Sequence, residues 1–123
     1  MEYKLINTDY VVSVAGNDNS IITELVGMFA EQVAETAIEM KKLHGEKEFY
    51  KLGLLAHKAK SSVAIMGMSE LATLLKKFEL QAKEGIEPEN YTAYISKFEE
   101  DTKLAVDELK HFIKNLPNSD AQN

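Results

Sequence analysis

Residues 20–43 read SIITELVGMFAEQVAETAIEMKKL, and this stretch decides the fold. An α-helix places successive residues about 100° apart, so apolar residues three and four positions apart share one face. The apolar side chains that fall within one stripe about 120° wide are Ile22, Leu25, Val26, Phe29, Val33, Ala37 and Met40. The pattern predicts an amphipathic helix from Ser20 to Leu43, with Gly45 as its stop.

Glycines and prolines divide the rest of the chain into four further predicted helices. The short first helix covers 9–15, is capped by Thr8 or Asn7 and ends at Gly16. The third helix covers 47–66 and ends at Gly67, and the fourth is capped by Ser69 and ends at Gly85. The fifth helix begins at Pro88 and ends at Pro117. Long amphipathic helices with short connections favour antiparallel neighbours. The predicted fold is all-α, an antiparallel up-down-up-down four-helix bundle with a short extra N-terminal helix.

Length and composition indicate one domain and exclude several functional classes. The chain has 123 residues and no cysteine, which excludes a disulfide scaffold and a thiolate metal site. We expect a single domain over 1–117 and a disordered polar tail over 118–123. A net charge of −6 disfavours nucleic acid as a partner. No apolar run approaches the roughly 18 residues of a membrane span, and no secretion signal is visible, so we expect a cytoplasmic protein without membrane contact.

Most motifs for catalysis and cofactor binding are missing from the sequence. No two glycines stand close enough to form a phosphate-binding loop, which argues against a nucleotide site. The histidines, His44, His57 and His111, lack the local spacing of metal ligands. We therefore expect neither a metal nor a cofactor in this chain.

His57 is the exception, because of its neighbours. It lies about 140° from the apolar stripe of the third helix, on the outward face. Residues three and four positions away on a helix are neighbours, and those around His57 on this face include Gly53, Ser61 and, one turn further, Ala64. These small side chains would leave the imidazole open to another macromolecule.

Lys60 adds a positive charge beside this histidine. A nearby ammonium disfavours the imidazolium form and could neutralise a phosphoryl group on the ring. Acyl transfer would need a partner hydroxyl, an orienting carboxylate and an oxyanion hole, and the sequence shows no such set. An exposed histidine with a lysine three residues later is also common on solvated helix faces, so both interpretations stay open here.

Apolar residues lie off the core stripes near His57 and suggest a docking surface. They are Leu54, Ile65 and Tyr50 on the third helix and Ile21 and Met28 on the second. The alternative is that they contact the short first helix or a neighbouring helix.

Residues 55–67, LAHKAKSSVAIMG, resemble the histidine-containing phosphotransfer (HPt) domain family. The family pattern is Ala-His-x-Leu-Lys-Gly-Ser/Ala, with a glycine ten residues after the histidine. The matching residues are Ala56, His57, Lys60, Ser62 and Gly67, and downstream Leu71 and the Phe78-Glu79 pair also fit. Ala59 replaces the common leucine and Ser61 the common glycine, and the resemblance spans about residues 8–115.

The resemblance implies a phosphorelay intermediate of two-component signalling rather than a self-sufficient enzyme. His57 would accept a phosphoryl group from a receiver-domain aspartyl-phosphate and pass it to another receiver, and Lys60 would stabilise it. The docking surface would comprise Gly53, Leu54, Ser61, Ala64 and Ile65. The partners would be response-regulator receiver domains, including one in a hybrid sensor histidine kinase, and the receiver would supply Mg²⁺.

The resemblance also implies a cytoplasmic monomer. The main alternative function is a non-catalytic helical adaptor that binds signalling partners without phosphotransfer. A small hydrolase with His57 as general base would lack an oxyanion or metal partner.

Overall fold

The structure, a computed structural model, describes residues 3–116 and is all-helical within that range. Helix accounts for 82% of it, without a β-strand. The α-helices of this range are α1 (Thr8–Val14), α2 (Asn19–Gly45), α3 (Phe49–Ile65), α4 (Ser69–Glu84) and α5 (Tyr91–Lys114). The predicted all-α class is confirmed. No helix in 3–116 combines the length and the apolar character needed to cross a bilayer.

Side-chain caps begin the first two helices. Of the two candidates for α1, Asn7 is the cap, and its Oδ1 accepts a hydrogen bond from the Tyr10 N–H at 3.1 Å. Asp18 caps α2 and accepts hydrogen bonds from the N–H groups of Ser20 and Ile21 at 2.9 and 3.2 Å. These carboxylate and amide oxygens satisfy N–H groups that have no partner within the helix.

Other predicted helix ends differ from the structure: α1 lies one residue earlier than 9–15, and α3 begins at Phe49 rather than at 47, where Lys47 has a left-handed φ of +59°. Ser69 is the first residue of α4 rather than its cap; Met68 holds the cap position and makes no side-chain hydrogen bond there. Pro88 opens a 3-10 turn, Pro88–Asn90, that leads into α5. The predicted stop at Pro117 and the predicted tail over 118–123 lie outside the described residues.

The helices bury their apolar stripes against one another. In α2, six of the seven predicted stripe residues are buried and Leu25 is half-buried. α3 packs chiefly against α4, and α2 chiefly against α5. The site described below lies on the first of these two pairs.

The segment before α1 connects α5 to the turn after α3. The Glu108 carboxylate accepts hydrogen bonds from three successive backbone N–H groups, those of Lys4, Leu5 and Ile6. The Asn7 N–H then donates to the Met66 carbonyl at 3.1 Å. Gly67 has φ +74°, and a Cβ there would lie 3.0 Å from the Asn7 nitrogen. Both the left-handed backbone and the close approach favour glycine at this position.

Candidate functional site

His57 lies in the middle of α3 with most of its ring in solvent. The side chain is 57% exposed, so the predicted outward orientation is confirmed. The ring is nevertheless held from one side, because Nδ1 lies 3.1 Å from Oε2 of Glu79 on α4. The ring is therefore bound to the protein through Nδ1.

Glu79 is a carboxylate inside the apolar stripe of α4. Its side chain is only 8% exposed. Oε2 accepts hydrogen bonds from His57 Nδ1 at 3.1 Å and from Lys83 Nζ at 2.9 Å. Oε1 lies 3.6 Å from Lys60 Nζ and has no hydrogen-bond partner within 3–116. One buried carboxylate thus gathers the three basic side chains of the site.

The charge of Glu79 follows from these contacts. Burial by itself raises the pKa of the carboxyl group, but the hydrogen bonds and charges of Lys83 and His57 lower that pKa to about 2. The group is therefore ionised at neutral pH and can only accept hydrogen bonds. In the neutral imidazole, Nδ1 must then carry the proton and Nε2 the lone pair. In that neutral form, Nε2 is the ring nitrogen that can act as a nucleophile.

Lys60 does not take the position expected from its spacing. The sequence predicted its ammonium beside the imidazole, but Nζ pairs with Glu79 Oε1 instead. Lys60 and His57 meet through the carboxylate that lies between them. The expectation missed Glu79 because periodicity assigns a residue to a face of its own helix and does not say which side chain of another helix lies opposite.

Gly53 has a different role from the one predicted. The sequence placed it on the docking surface, whereas it is buried against α4. A Cβ there would lie 2.8 Å from Lys83 Cγ and 2.9 Å from the Lys83 backbone nitrogen. The glycine lets α3 approach α4 closely enough for Glu79 and Lys83 to reach the level of His57. Its assignment to the docking surface is therefore wrong.

The other predicted surface residues are exposed as expected. On α3 they are Leu54, Ser61, Ala64 and Ile65, together with Tyr50. Ile21 and Met28 on α2 are exposed too, so none of these apolar side chains is covered by α1 or by another helix. His57 is thus accompanied by uncovered apolar groups on its own helix.

Glu79 and Lys83 are the site residues whose roles the sequence did not assign. The sequence does contain a pattern that could have identified them. Glu79 is four positions after Leu75 and three before Ala82, both buried, so it shares their face of α4. A buried carboxylate requires a cation or several hydrogen bonds. Lys83, four residues further along α4, supplies one such cation.

The other histidines and the comparisons with known proteins add no second site. His111 Nδ1 lies 2.7 Å from the Tyr3 hydroxyl, and His44 lies in the last turn of α2. Residues 3–116 hold no group of three or more His, Asp or Glu side chains arranged to bind a metal ion. Neither the protein-family models nor the curated proteins nor the solved structures contain a match to this chain. A functional assignment therefore depends on the geometry around His57.

The ionised state of Glu79 should make the stability of the fold depend on pH. Because its pKa falls from 4.5 to about 2 on folding, its contribution is fully present above about pH 4.5 and disappears as the pH falls towards 2. We expect Glu79→Gln to lower the free energy of unfolding at pH 7 by about 1.5–3 kcal/mol, the range for hydrogen bonds to charged groups. At pH 3 the deficit should be smaller. Urea unfolding at both pH values measures this.

Glu100→Gln is the matched control, since Glu100 is an exposed carboxylate on α5. It should change the free energy of unfolding by no more than about 0.5 kcal/mol at either pH. An equal deficit for Glu79→Gln at pH 3 and pH 7 would show that the charge of Glu79 does not stabilise the fold.

Gly53→Ala tests the close approach of α3 and α4. The added methyl group meets the backbone of Lys83, so we expect the free energy of unfolding to fall by about 1–3 kcal/mol. The ¹⁵N shifts of the His57 ring should also change as Glu79 moves. Gly27→Ala in α2 is the control: its Cβ meets nothing within 4 Å, and alanine should stabilise the helix by up to about 1 kcal/mol. If Gly53→Ala also stabilises the protein, α3 and α4 do not approach each other as closely at Gly53 as the structure indicates.

Proposed function

We propose that this protein is a phosphorelay intermediate that carries a phosphoryl group on Nε2 of His57. The observation that supports this is the geometry of the His57 ring: the imidazole is exposed, and its Nδ1 is bound to the buried, ionised carboxylate of Glu79. Such a carboxylate orients the ring and fixes its tautomer, a role that acidic partners of histidine have in other sites. The proposal agrees with the function that the resemblance to the HPt family implies.

The proposed transfer needs no proton movement within this chain. The Nε2 lone pair attacks the phosphorus of an aspartyl-phosphate while the bond between phosphorus and the aspartyl oxygen breaks. The aspartate leaves as a carboxylate with that electron pair, and the phosphorylated ring, which keeps its Nδ1 proton, becomes positively charged. Glu79 stabilises this charge through the hydrogen bond from Nδ1. Transfer onward to a second receiver aspartate is the reverse of these steps.

The two lysines of the site have separate roles in this proposal. Lys83 stays on Glu79 Oε2 and keeps the carboxylate ionised. Lys60 lies farther from the carboxylate, at 3.6 Å, and its side chain is 24% exposed. Its flexible stem allows the ammonium to turn from Glu79 towards a phosphoryl oxygen on Nε2. Lys60 is the residue that we assign to phosphate stabilisation.

The proposal extends to the architecture and to the partner. We infer that α2 to α5 form an up-down-up-down antiparallel bundle, because only short connections, 46–48, 66–68 and 85–90, join them. The partner would be a receiver domain with an acidic pocket and its own Mg²⁺, meeting a monomer of this protein in the cytoplasm. A non-catalytic adaptor is the competing function, since uncovered apolar groups such as Leu54 and Ile65 would serve it equally well.

Replacing the phosphoacceptor tests the proposal directly. We expect His57→Gln to abolish the uptake of acid-labile phosphate from a phosphorylated receiver domain, because the amide lacks a nucleophilic nitrogen. Lys60 and Lys83 still pair with Glu79 in this variant, so the thermal midpoint should change by only a few degrees. His44→Gln is the control and should be phosphorylated as the parent protein is. Phosphate on His44 or His111 in the His57→Gln variant would contradict the assignment.

Enlarging Ser61 tests whether a partner approaches this face. In-line transfer brings the nitrogen within roughly 3–3.5 Å of phosphorus, and Ser61 is exposed one turn from His57. We expect Ser61→Phe to slow transfer at least about tenfold, since a phenyl ring there would hold the surfaces apart. Ser96→Phe makes the same change at an exposed position of α5. Equal rates for parent and Ser61→Phe at every receiver concentration would place the docking face elsewhere.

A further inference from the structure

A shallow depression next to the His57 site is lined by lysines without any acidic residue. Its lining consists of Lys60, Ala72, Thr73, Lys76, Lys77 and Leu80, and its volume is about 440 Å³. We call this surface the α4 lysine patch. Lys60 joins it to the site, since the same side chain contacts Glu79. Leu80 is 52% exposed, so the patch combines positive charge with an uncovered apolar group.

Lys60 is paired with Glu79, so Lys76 and Lys77 give this patch its unbalanced charge, although the chain as a whole is acidic with a net charge of −6. Lys76 and Lys77 are exposed and form no ion pair among the described residues. By contrast, Lys41 Nζ lies 2.8 Å from Glu99 Oε2 and Lys97 Nζ lies 3.3 Å from Asp101 Oδ1.

The depression on the other side of α3 provides a direct comparison. It contains Lys58, but Glu35 and Glu39 also line it. Neighbouring lysines without counter-charges repel one another, weakly because water screens them. An acidic partner would remove that repulsion.

We propose that the α4 lysine patch docks an acidic segment of the receiver protein that exchanges phosphate with His57. This inference rests on the proposed function and names the chemistry of its partner. The segment would offer carboxylates to Lys76 and Lys77 and an apolar side chain to Leu80 and Ala72. Contact there would hold the partner beside His57 while leaving Nε2 open to phosphorus.

A protein segment fits this patch better than a polyanion does. Nucleic acid and anionic membranes extend far beyond the few ammonium groups of this patch, and they would be repelled by a chain whose net charge is −6. Screening limits each charge to about 8–10 Å, so the patch can attract only what lies directly against it. Phosphates also offer no apolar group for Leu80. A short protein segment can offer both carboxylates for the lysines and an apolar side chain for Leu80.

Charge reversal tests the proposal through its salt dependence. The variant is Lys76→Glu with Lys77→Glu, and the control is Lys103→Glu with Lys110→Glu, which makes the same change at exposed positions of α5. Binding of unphosphorylated receiver domains from the source genome is measured by calorimetry, and transfer to His57 is measured over a range of receiver concentrations. Both use 50 mM and 500 mM salt.

The expected result is specific to the patch and to low salt. Reversal should raise both the Kd and the half-saturating receiver concentration at least about tenfold at low salt, and much less at high salt, because rim charges act through screened attraction. The control should stay within about twofold of the parent, as expected for charges outside the interface. Leu80→Ala should weaken binding at both salt concentrations. Should the reversal variant fold poorly, Lys76→Gln with Lys77→Gln should give a smaller change in the same direction.

The outcomes separate this inference from the proposed function. Parent protein that binds receivers but takes no phosphate overturns the proposed function, and the binding data still decide the docking site. Unchanged Kd and unchanged salt dependence on reversal overturn the docking site, whatever His57 does, and so does a parent that binds no receiver. A third arm uses a DNA duplex and anionic vesicles. If reversal abolishes binding to either and leaves receiver binding intact, the patch serves a polyanion and the inference is wrong.

Discussion

The site depends on one buried charge, the carboxylate of Glu79. A carboxylate in an apolar environment is strongly unfavourable unless cations and hydrogen bonds compensate for the lost water. Here His57 and Lys60 from α3 and Lys83 from α4 surround it. The same contacts therefore join the two helices and orient the imidazole, and a change in the position of His57 removes one of the contacts that compensate the buried charge.

Helix packing and site geometry are coupled through Gly53. Because it has no side chain, the backbone of α4 at Lys83 comes within a distance that a methyl group would block. A mid-helix glycine costs roughly 0.5–1 kcal/mol relative to alanine, and here the close contact explains its presence. The distance between α3 and α4 thus determines whether His57 and Lys83 can share one carboxylate.

Much of the fold was predictable from the sequence, and the central contact of the site was not. Periodicity predicted the buried stripe of α2 and the exposure of His57, since both depend on a residue's position within one helix. The left-handed Gly85 after α4 was likewise predictable as a helix stop. The burial of Glu79 could be read from its face of α4, but its contact with His57 and the close approach at Gly53 could not, because they depend on how far apart α3 and α4 are and on their relative register. Neither quantity is encoded in the pattern of a single helix.

Stability alone does not account for the charges around Glu79. Replacing a buried ionic cluster by apolar residues of similar size is often neutral or stabilising, and the neighbours Leu75, Phe78 and Ala82 show that this face of α4 accommodates apolar side chains. One carboxylate oxygen even lacks a hydrogen bond. What the ionised group adds, and a leucine could not, is a fixed acceptor for the Nδ1 proton of His57. The proposed phosphotransfer gives this acceptor a purpose that the packing of the core does not.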